Sequence, residues 1–448
     1  MAKDWSKLGG ERGKRVETNR LTRAIKLGGL ATRMTGSLIR RKLQNFTQTE
    51  NDKIEALASA ALDNAQHVVD VMGNMKGAAM KVGQILSSDP DMIHPEFAQK
   101  LASLQRQAPP MDFETLARQV ETCLDQPIDA VFKYFDPEPI GAASIGQVHR
   151  ATLFDGRDVA VKIQYPGIAE SIESDIKNMA SLLKLGRILM TPERADAILA
   201  EARDAIVAEA DYLQEAANLD RFRTHFADWP DIRIPEPIHE FTRPQLLVME
   251  FMEGKPFKET LNAIESEDAR NELAARFVKL FVFMFHDLHE LHSDPHPGNF
   301  LIDGDNRIIM LDFGCVRSFR PEMADAVLEM LIAYWDDDMK RLSALFRQHG
   351  FGAEGNKMPT EEQLRSYHRM ILEPMTHDAP FRFSEFKVHE RVRGFLKTNI
   401  SILKLIPPAE LLLYFRVVAG VKGMMTQLDA AVNVRAMAED MCRQRNLL

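Results

Sequence analysis

Apolar residues recur at helical spacing from Leu21 to Leu43: Leu21, Ile25, Leu30, Met34, Leu38 and Ile39 form one stripe. Arg20, Arg23, Lys26, Arg33, Arg40, Arg41 and Lys42 crowd the remaining positions, and Gly28 and Gly29 weaken the middle of this basic amphipathic segment. Ile54–Met75 is Ala-rich with few breakers, and Glu114–Leu124 repeats the helical period. Strand-length runs of apolar and β-branched residues follow Asp125, at Gly146–Leu153, Asp158–Ile163 and Gln245–Glu250, with helical material from Ile168 to Phe226 between the last two. After Gly254 the pattern is helical apart from a strand at Arg307–Asp312. Strands first, helices after, and one late strand ending in an acidic residue predict an α+β, two-lobed domain behind a helical prefix. The expected divisions are 1–45 (basic segment), 46–126 (helical extension), 127–253 (first lobe) and 254–448 (helical second lobe).

Charge sharpens the first of these divisions. The whole chain has 56 Lys/Arg and 65 Asp/Glu, net −9, which gives no reason to expect nucleic-acid binding. Residues 1–45 carry 12 Lys/Arg against 3 Asp/Glu, net +9, leaving 44 against 62, net −18, for the rest. A basic amphipathic head either lies on an anionic lipid surface or docks its apolar stripe on the body. Three scattered cysteines, Cys123, Cys315 and Cys442, build no disulfide framework and suit a reducing compartment. No stretch supplies the roughly 20 apolar residues of a membrane span: Ile402–Met425 is interrupted by Lys404, Pro407, Pro408, Glu410, Arg416 and Lys422. The N-terminus has no apolar signal core. A cytoplasmic chain able to rest on a membrane is the expectation.

The late strand runs into Asp312-Phe313-Gly314. An aspartate at a strand's end can hold Mg²⁺, a hard cation that takes oxygen ligands and substrate phosphates. Asp-Phe-Gly alone is a weak signal. Upstream, however, Asp294-Pro-His-Pro-Gly-Asn299 has the Asp-x-x-x-x-Asn spacing of a kinase catalytic loop, in which the aspartate orients an attacking hydroxyl and the asparagine adds a metal ligand. Val159-Ala-Val-Lys162 puts a lysine on a strand, where its ammonium can meet phosphate if a carboxylate fixes it. Gly141-Ala-Ala-Ser-Ile-Gly146-Gln-Val148 overlays the glycine-loop template G-x-G-x-x-G-x-V, with Ala143 at the middle glycine, where a Cβ restricts backbone approach. Four elements in one order, each on the expected kind of segment, predict a kinase-like fold. A core that keeps this fold without turnover is the alternative. No Ala-Pro-Glu segment follows Asp312, since the chain passes from Arg317 almost directly into the helical Met323–Trp335, which argues against a peptide-binding platform.

These residues also carry a family resemblance. Lys81-Val-Gly-Gln84, Ala142-Ala-Ser-Ile-Gly-Gln-Val-His149, Val161-Lys-Ile-Gln-Tyr-Pro-Gly167, Glu209-Ala-Asp211, Asp294-Pro-His-Pro-Gly-Asn299 and Asp312-Phe-Gly314 resemble the AarF/UbiB family of atypical kinases, in particular its coenzyme Q branch. The resemblance covers roughly residues 50–430. It implies ATP with Mg²⁺ (or Mn²⁺) as cofactors. Lys162 would contact nucleotide phosphates, and Ala142, Ala143, Ser144, Ile145, Gly146, Glu250 and Met252 would complete the nucleotide site. Asp294 would be the catalytic-loop aspartate, with Asn299 and Asp312 holding the metal. The carboxylate pairing with Lys162 is implied to be Glu215, 53 residues further on, with Glu209 as competitor. Lys81 and Gln84 belong to an extension that folds over the site and meets Glu209 and Asp211. Gly141 stands where the family has alanine, which would loosen the loop. The implied role is in ubiquinone biosynthesis, as ATP hydrolysis or phosphoryl transfer near a polyprenyl-phenol lipid intermediate, with a biosynthetic protein complex as a further partner. A nucleotide-gated lipid chaperone without turnover is the alternative, and a small-molecule kinase of the aminoglycoside or choline type is disfavoured by the Ala-Ser-Ile-Gly-Gln phrase.

Other signals rank lower. His286, His289, His292 and His296 are spaced three, three and four apart, as a metal cluster on a helix could be; a helix leading into the catalytic loop, with histidines packing or hydrogen-bonding beneath it, is the preferred reading. The 23 methionines are scattered, as core filler is. Asp336-Asp-Asp338 reads as a solvated helix connection, and Cys315 as a small buried residue.

Overall fold

The computed structural model describes residues 111–353 apart from Ser144, 169–170, 175, 178–179 and 181–191, together with 359–388, 391, 395 and 405–448. The expectations for residues 1–45, for the helical extension up to Pro110 with Lys81 and Gln84, and for Ser144 lie outside these residues. In chain order the elements are α1 (Phe113–Leu124), α2 (Ile128–Val131), β1 (Phe132–Ala142), β2 (Gly146–Leu153), β3 (Asp158–Gln164), α3 (Pro192–Glu209), α4 (Tyr212–His225), β4 (Ile232–Arg233), β5 (Leu246–Glu250) and β6 (Lys255–Pro256). There follow α5 (Phe257–Ala263), α6 (Glu267–His286), β7 (Glu290–His292), β8 (Phe300–Ile302), β9 (Ile308–Met310), β10 (Val316–Ser318), α7 (Pro321–Trp335), α8 (Met339–Gln348), α9 (Glu361–Ile371), α10 (Ala409–Leu428) and α11 (Val434–Gln444). The described residues form two compact units: one holds those from Met111 to Arg221 and Pro235–Met252, the other those of Phe222–Ile234 and Glu253–Leu448.

In the first unit an antiparallel sheet runs in the order β1-β2-β3-β5. Along β2 buried positions alternate with more exposed ones, whereas β3 is buried from Val159 to Gln164, with Lys162 and Gln164 among its buried residues. Asp112 caps α1 by accepting from Thr115 N at 2.9 Å, and the buried face Leu116, Ala117, Val120 and Leu124 joins Val159, Val161, Ile163 and Val248 of the sheet in one apolar cluster. Strand β1 is absent from the hydrophobic pattern because Pro137 and Pro139 interrupt it. Proline cannot donate to a ladder, and β1 tolerates it as an edge strand with irregular register around Pro139.

The second unit has its own small sheet, ordered β4-β9-β8-β6, and a β7–β10 ribbon. Helix α6 is the apolar centre: Phe277 meets Phe257 at 5.7 Å and Phe300 at 5.2 Å, both edge to face. The late strand is shorter than expected, Ile308–Met310, so Asp312 lies beyond its end, and among the described residues eight further strands of two or three residues join what reads from sequence as helical terrain. Strands so short carry no measurable alternation. Asp336–Asp338 does connect two helices, α7 and α8; Asp338 caps the second by accepting from Arg341 N at 2.9 Å, and Asp337 pairs with Arg365 at 2.7 Å. Among the described residues no helix is long and apolar enough to cross a membrane.

Docking of α1 on the sheet predicts that Leu116→Ala, at a fully buried position, lowers the stability of the first unit by about 2–5 kcal/mol. Urea denaturation should report this as a lower midpoint at unchanged slope.

Candidate active site

In the first unit, β2 and β3 pair in a register that puts Val148 opposite Lys162 and Gly146 opposite Gln164. Lys162 and Gln164 share a face by the two-residue period of a strand. The Lys162 ammonium is buried and donates to both Glu215 oxygens, at 2.8 and 2.9 Å, with Glu215 fully buried in the first turn of α4. It also lies 5.2 Å from the Tyr212 ring, one helical turn earlier. Of the two candidate carboxylates, Glu215 thus holds Lys162. Two contacts fix the helix that delivers it. Asp211 Oδ1 accepts from Gln214 N at 3.0 Å, capping α4, and Gln164 Nε2 donates to Ala210 O at 2.7 Å, tying β3 to the turn before the helix. Glu209 is buried at the end of α3.

The stretch read as a glycine loop is a tight β1–β2 hairpin. Ala142 pairs with Gln147 and Gly141 with Val148, and Ala143 N donates to Gly146 O at 2.9 Å to close the turn around Ile145, which is buried. Gly141 therefore stands in a ladder rather than loosening a loop, with open space where a Cβ would be. Gly146 is required for close approach: a Cβ there would lie 2.2 Å from Ile163 O. Glu250 and Met252, at and beyond the end of β5, are not beside Lys162. Glu250 pairs with Val159 and Lys162 with Leu247, three ladder positions or about 10 Å apart.

In the second unit, the β8–β9 hairpin sets Phe300 opposite Met310, so Asn299 comes beside Leu311, whose N–H donates to Asn299 O at 3.0 Å. Asp294, Asn299 and Asp312 are gathered by three ties. Asn299 Nδ2 donates to Asp294 O at 2.9 Å, Asp312 Oδ1 accepts from Gly314 N at 3.0 Å, and the His292 ring bridges the two motifs. Its Nε2–H donates to Asp312 O in a short bond, and its Nδ1 accepts from Asp294 N at 3.4 Å. A carbonyl can only accept, so these partners fix the tautomer. Ser293 N and Oγ both donate to Cys315 O at 2.9 Å, and Phe313 packs on Phe222 at 4.9 Å.

The four histidines do not share a helix face, because α6 ends at His286 and His292 stands on β7. Burial first, then the Arg445 guanidinium, pushes the His286 pKa down to about 3, which keeps the ring neutral. His289 takes a left-handed turn conformation at φ 53°, and His296 Nδ1 accepts from Gly298 N at 3.1 Å. Among the described residues no group of three or more His, Cys, Asp or Glu is arranged to hold a metal by itself. Cys315 is buried. Sequence reasoning missed Gln164 and Gln147. Buried Gln147 accepts from Met111 N at 2.6 Å and so fastens the approach to α1 onto β2. The two-residue period from Lys162 was the available signal for Gln164.

The sequence pattern of the ABC1 atypical kinase-like domain matches residues 103–346. The chain belongs to this family. Among ABC1 relatives, "Atypical kinase coq-8, mitochondrial" of Caenorhabditis elegans is 30% identical over 429 residues, covering 93% of this chain and 56% of the nematode protein. "Atypical kinase COQ8B, mitochondrial" of Rattus norvegicus is 29% identical over 438 residues, covering 96% of this chain and 81% of that protein. The chain thus spans little more than half the length of the nematode relative. Among solved structures, that of Rv3197 from Mycobacterium tuberculosis, in complex with erythromycin, superposes with a TM-score of 0.61 at 28% identity, over 86% of this chain and 97% of that one. The family inferred from the motifs and the α+β kinase-like fold are those observed, and proteins named as COQ8 atypical kinases are among the relatives of this ABC1-family chain.

The buried pair of this ABC1 chain yields a thermodynamic expectation. Removing one partner strands a charge, so Lys162→Met or Glu215→Leu alone should destabilise by about 3–5 kcal/mol, whereas the apolar pair Lys162→Met/Glu215→Leu should come close to the parent stability. Urea unfolding of the four proteins measures this cycle.

Proposed function

We propose that this chain binds ATP with Mg²⁺ (or Mn²⁺) and carries out phosphoryl chemistry, hydrolysis or transfer, on or beside a polyprenyl-phenol intermediate of ubiquinone (coenzyme Q) biosynthesis. The observation that carries the reading is the Lys162–Glu215 pair, nearly excluded from water on both sides. A buried ion pair is a poor stabiliser compared with apolar side chains of the same size, which favours a role for the oriented ammonium itself. Held at two points, it presents a fixed positive charge to the nucleotide's α- and β-phosphates. Ala142, Ala143, Ser144, Ile145, Gly146, Glu250 and Met252 complete the nucleotide site in this reading, and the 10 Å or so of ladder from Lys162 to Glu250 suits the reach of a nucleoside phosphate.

Asp312 and Asn299 offer carboxylate and amide oxygens, the ligand type a small hard cation takes, and such a cation draws its remaining ligands from phosphate and water rather than from a protein cage. Once bound, it supplies neutralisation of phosphate charge. Asp294 orients the attacking oxygen, of water or of a small-molecule hydroxyl, and accepts its proton. His292 keeps the backbone of Asp294 in step with that of Asp312. Lys81 and Gln84 belong to a gating extension, residues 46–126, that meets Glu209 and Asp211, while 127–253 and 254–448 are the two lobes. The +9 segment 1–45 brings the chain to an anionic membrane surface from the cytoplasmic phase and near a biosynthetic protein complex; nucleic acid is not a partner.

A turnover assay with Mg-ATP, with and without anionic liposomes carrying a polyprenylated phenol, is the direct test. Asp312→Asn should abolish phosphate release with the fold intact, and equal rates for variant and parent would remove the metal assignment. Stoichiometric ATP binding without turnover would favour a nucleotide-gated lipid scaffold instead. Deleting residues 1–45 should remove liposome binding and leave ATP affinity unchanged; undiminished liposome binding would make the stripe a packing surface.

A further inference from the structure

Helix α10 carries two glycines in opposite surroundings. A Cβ on Gly423 would meet nothing within 4 Å, whereas a Cβ on Gly420 would lie 2.5 Å from Pro295 Cγ, 3.5 Å from its Cβ and 3.6 Å from its Cδ. Non-bonded carbons rest about 3.5–4.0 Å apart, so the closest of these contacts demands about 1 Å of give. Neither side has it to offer. The proline ring is closed onto its own backbone and has no rotamer to swing away. Helix α10 is anchored by buried Leu411, Val417, Val421 and Met424, and by the Tyr414 ring stacked on Phe285 at 4.0 Å.

Pro295 directly follows Asp294, and the turn beyond it is closed by three bonds. His296 N donates to Asp294 O at 2.7 Å, Asn299 N to His296 O at 2.9 Å, and Asn299 Nδ2 to Asp294 O at 2.9 Å. Any displacement of the ring is therefore handed to Asp294 on one side and Asn299 on the other. Glycine inside a helix is less favourable than alanine. Gly420 shows no left-handed φ that would require it, which leaves close approach as the reason for its presence.

We propose that Gly420 is a positioning residue for the Asp294–Asn299 loop: the bare helix surface it leaves sets the depth at which Pro295 seats, and with it the placement of Asp294. The inference deepens the phosphoryl-chemistry reading and rests on it for the role of Asp294.

The test compares the full chain with Gly420→Ala, Gly423→Ala, Pro295→Ala and the double variant Gly420→Ala/Pro295→Ala. Gly420→Ala should lower kcat for Mg-ATP about 10- to 100-fold, the order expected for a misplacement near 1 Å, at unchanged ATP affinity. Gly423→Ala should keep kcat and gain thermal stability. Removing Cγ in the double variant leaves only the ordinary 3.5 Å contact to Cβ and should restore most of the kcat of Pro295→Ala. Hydrogen exchange at the His296 and Asn299 amides gives a readout independent of turnover: faster in Gly420→Ala, recovered in the double variant. Parental kcat and exchange in Gly420→Ala, or a loss that Pro295→Ala does not relieve, would overturn the proposal. Absence of turnover in the parent would instead defeat the phosphoryl-chemistry reading, and the exchange rates alone would then decide the seating of the loop.

Discussion

The first unit is organised around one unfavourable act, the burial of an ammonium. Lys162 sits on a central strand with apolar neighbours on either side, Val161 and Ile163, both fully buried. In such surroundings an isolated charge is far too costly, so a counter-charge must arrive with good geometry. That requirement dictates the approach of α4, which must present its first turn to β3 with Glu215 at bonding distance from the ammonium. Asp211 caps the helix and Gln164 holds the preceding turn, so the ion pair rests on hydrogen bonds between side chain and backbone. Gly146, at the start of the neighbouring strand, leaves room for Ile163 O, which a Cβ there would meet at 2.2 Å.

The second unit solves a different problem, that of holding two acidic side chains and an amide on loops that are nearly all backbone. Its means is backbone hydrogen bonding through one ring. His292 faces the backbone of Asp312 and Asp294 at once, with a donor on one nitrogen and an acceptor on the other. Pro295 then closes the loop against α10. A charged group placed in this way can act without further reorganisation, which is what phosphoryl chemistry asks of a protein that contributes little covalent chemistry of its own.

Legibility in the sequence varied with the length and polarity of each element. Strands β2 and β3 were read to within a residue, because continuous or alternating apolar character over seven or eight positions is distinctive. β1 was not, since its two prolines are what an edge strand tolerates and an interior strand does not. The three-residue strands of the second unit fell within terrain read as helical, and the histidine spacing suggested a common face that the end of α6 at His286 dissolves. The candidate site residues stood out because their motifs constrain residue type and order more tightly than packing does.

What the chain's order of residues determined was the set of groups and the kind of element bearing each: a strand lysine, an Asp…Asn loop, an aspartate just past a short strand, and hence the family and the α+β class. These are local properties, carried by periodicity and by motifs a few residues long. Only the tertiary structure decided which acid meets Lys162 across 53 residues of chain, which ring nitrogen holds which motif, and why α10 lacks a side chain where Pro295 presses on it. Such choices depend on distances between elements remote in sequence, and no local pattern encodes a distance.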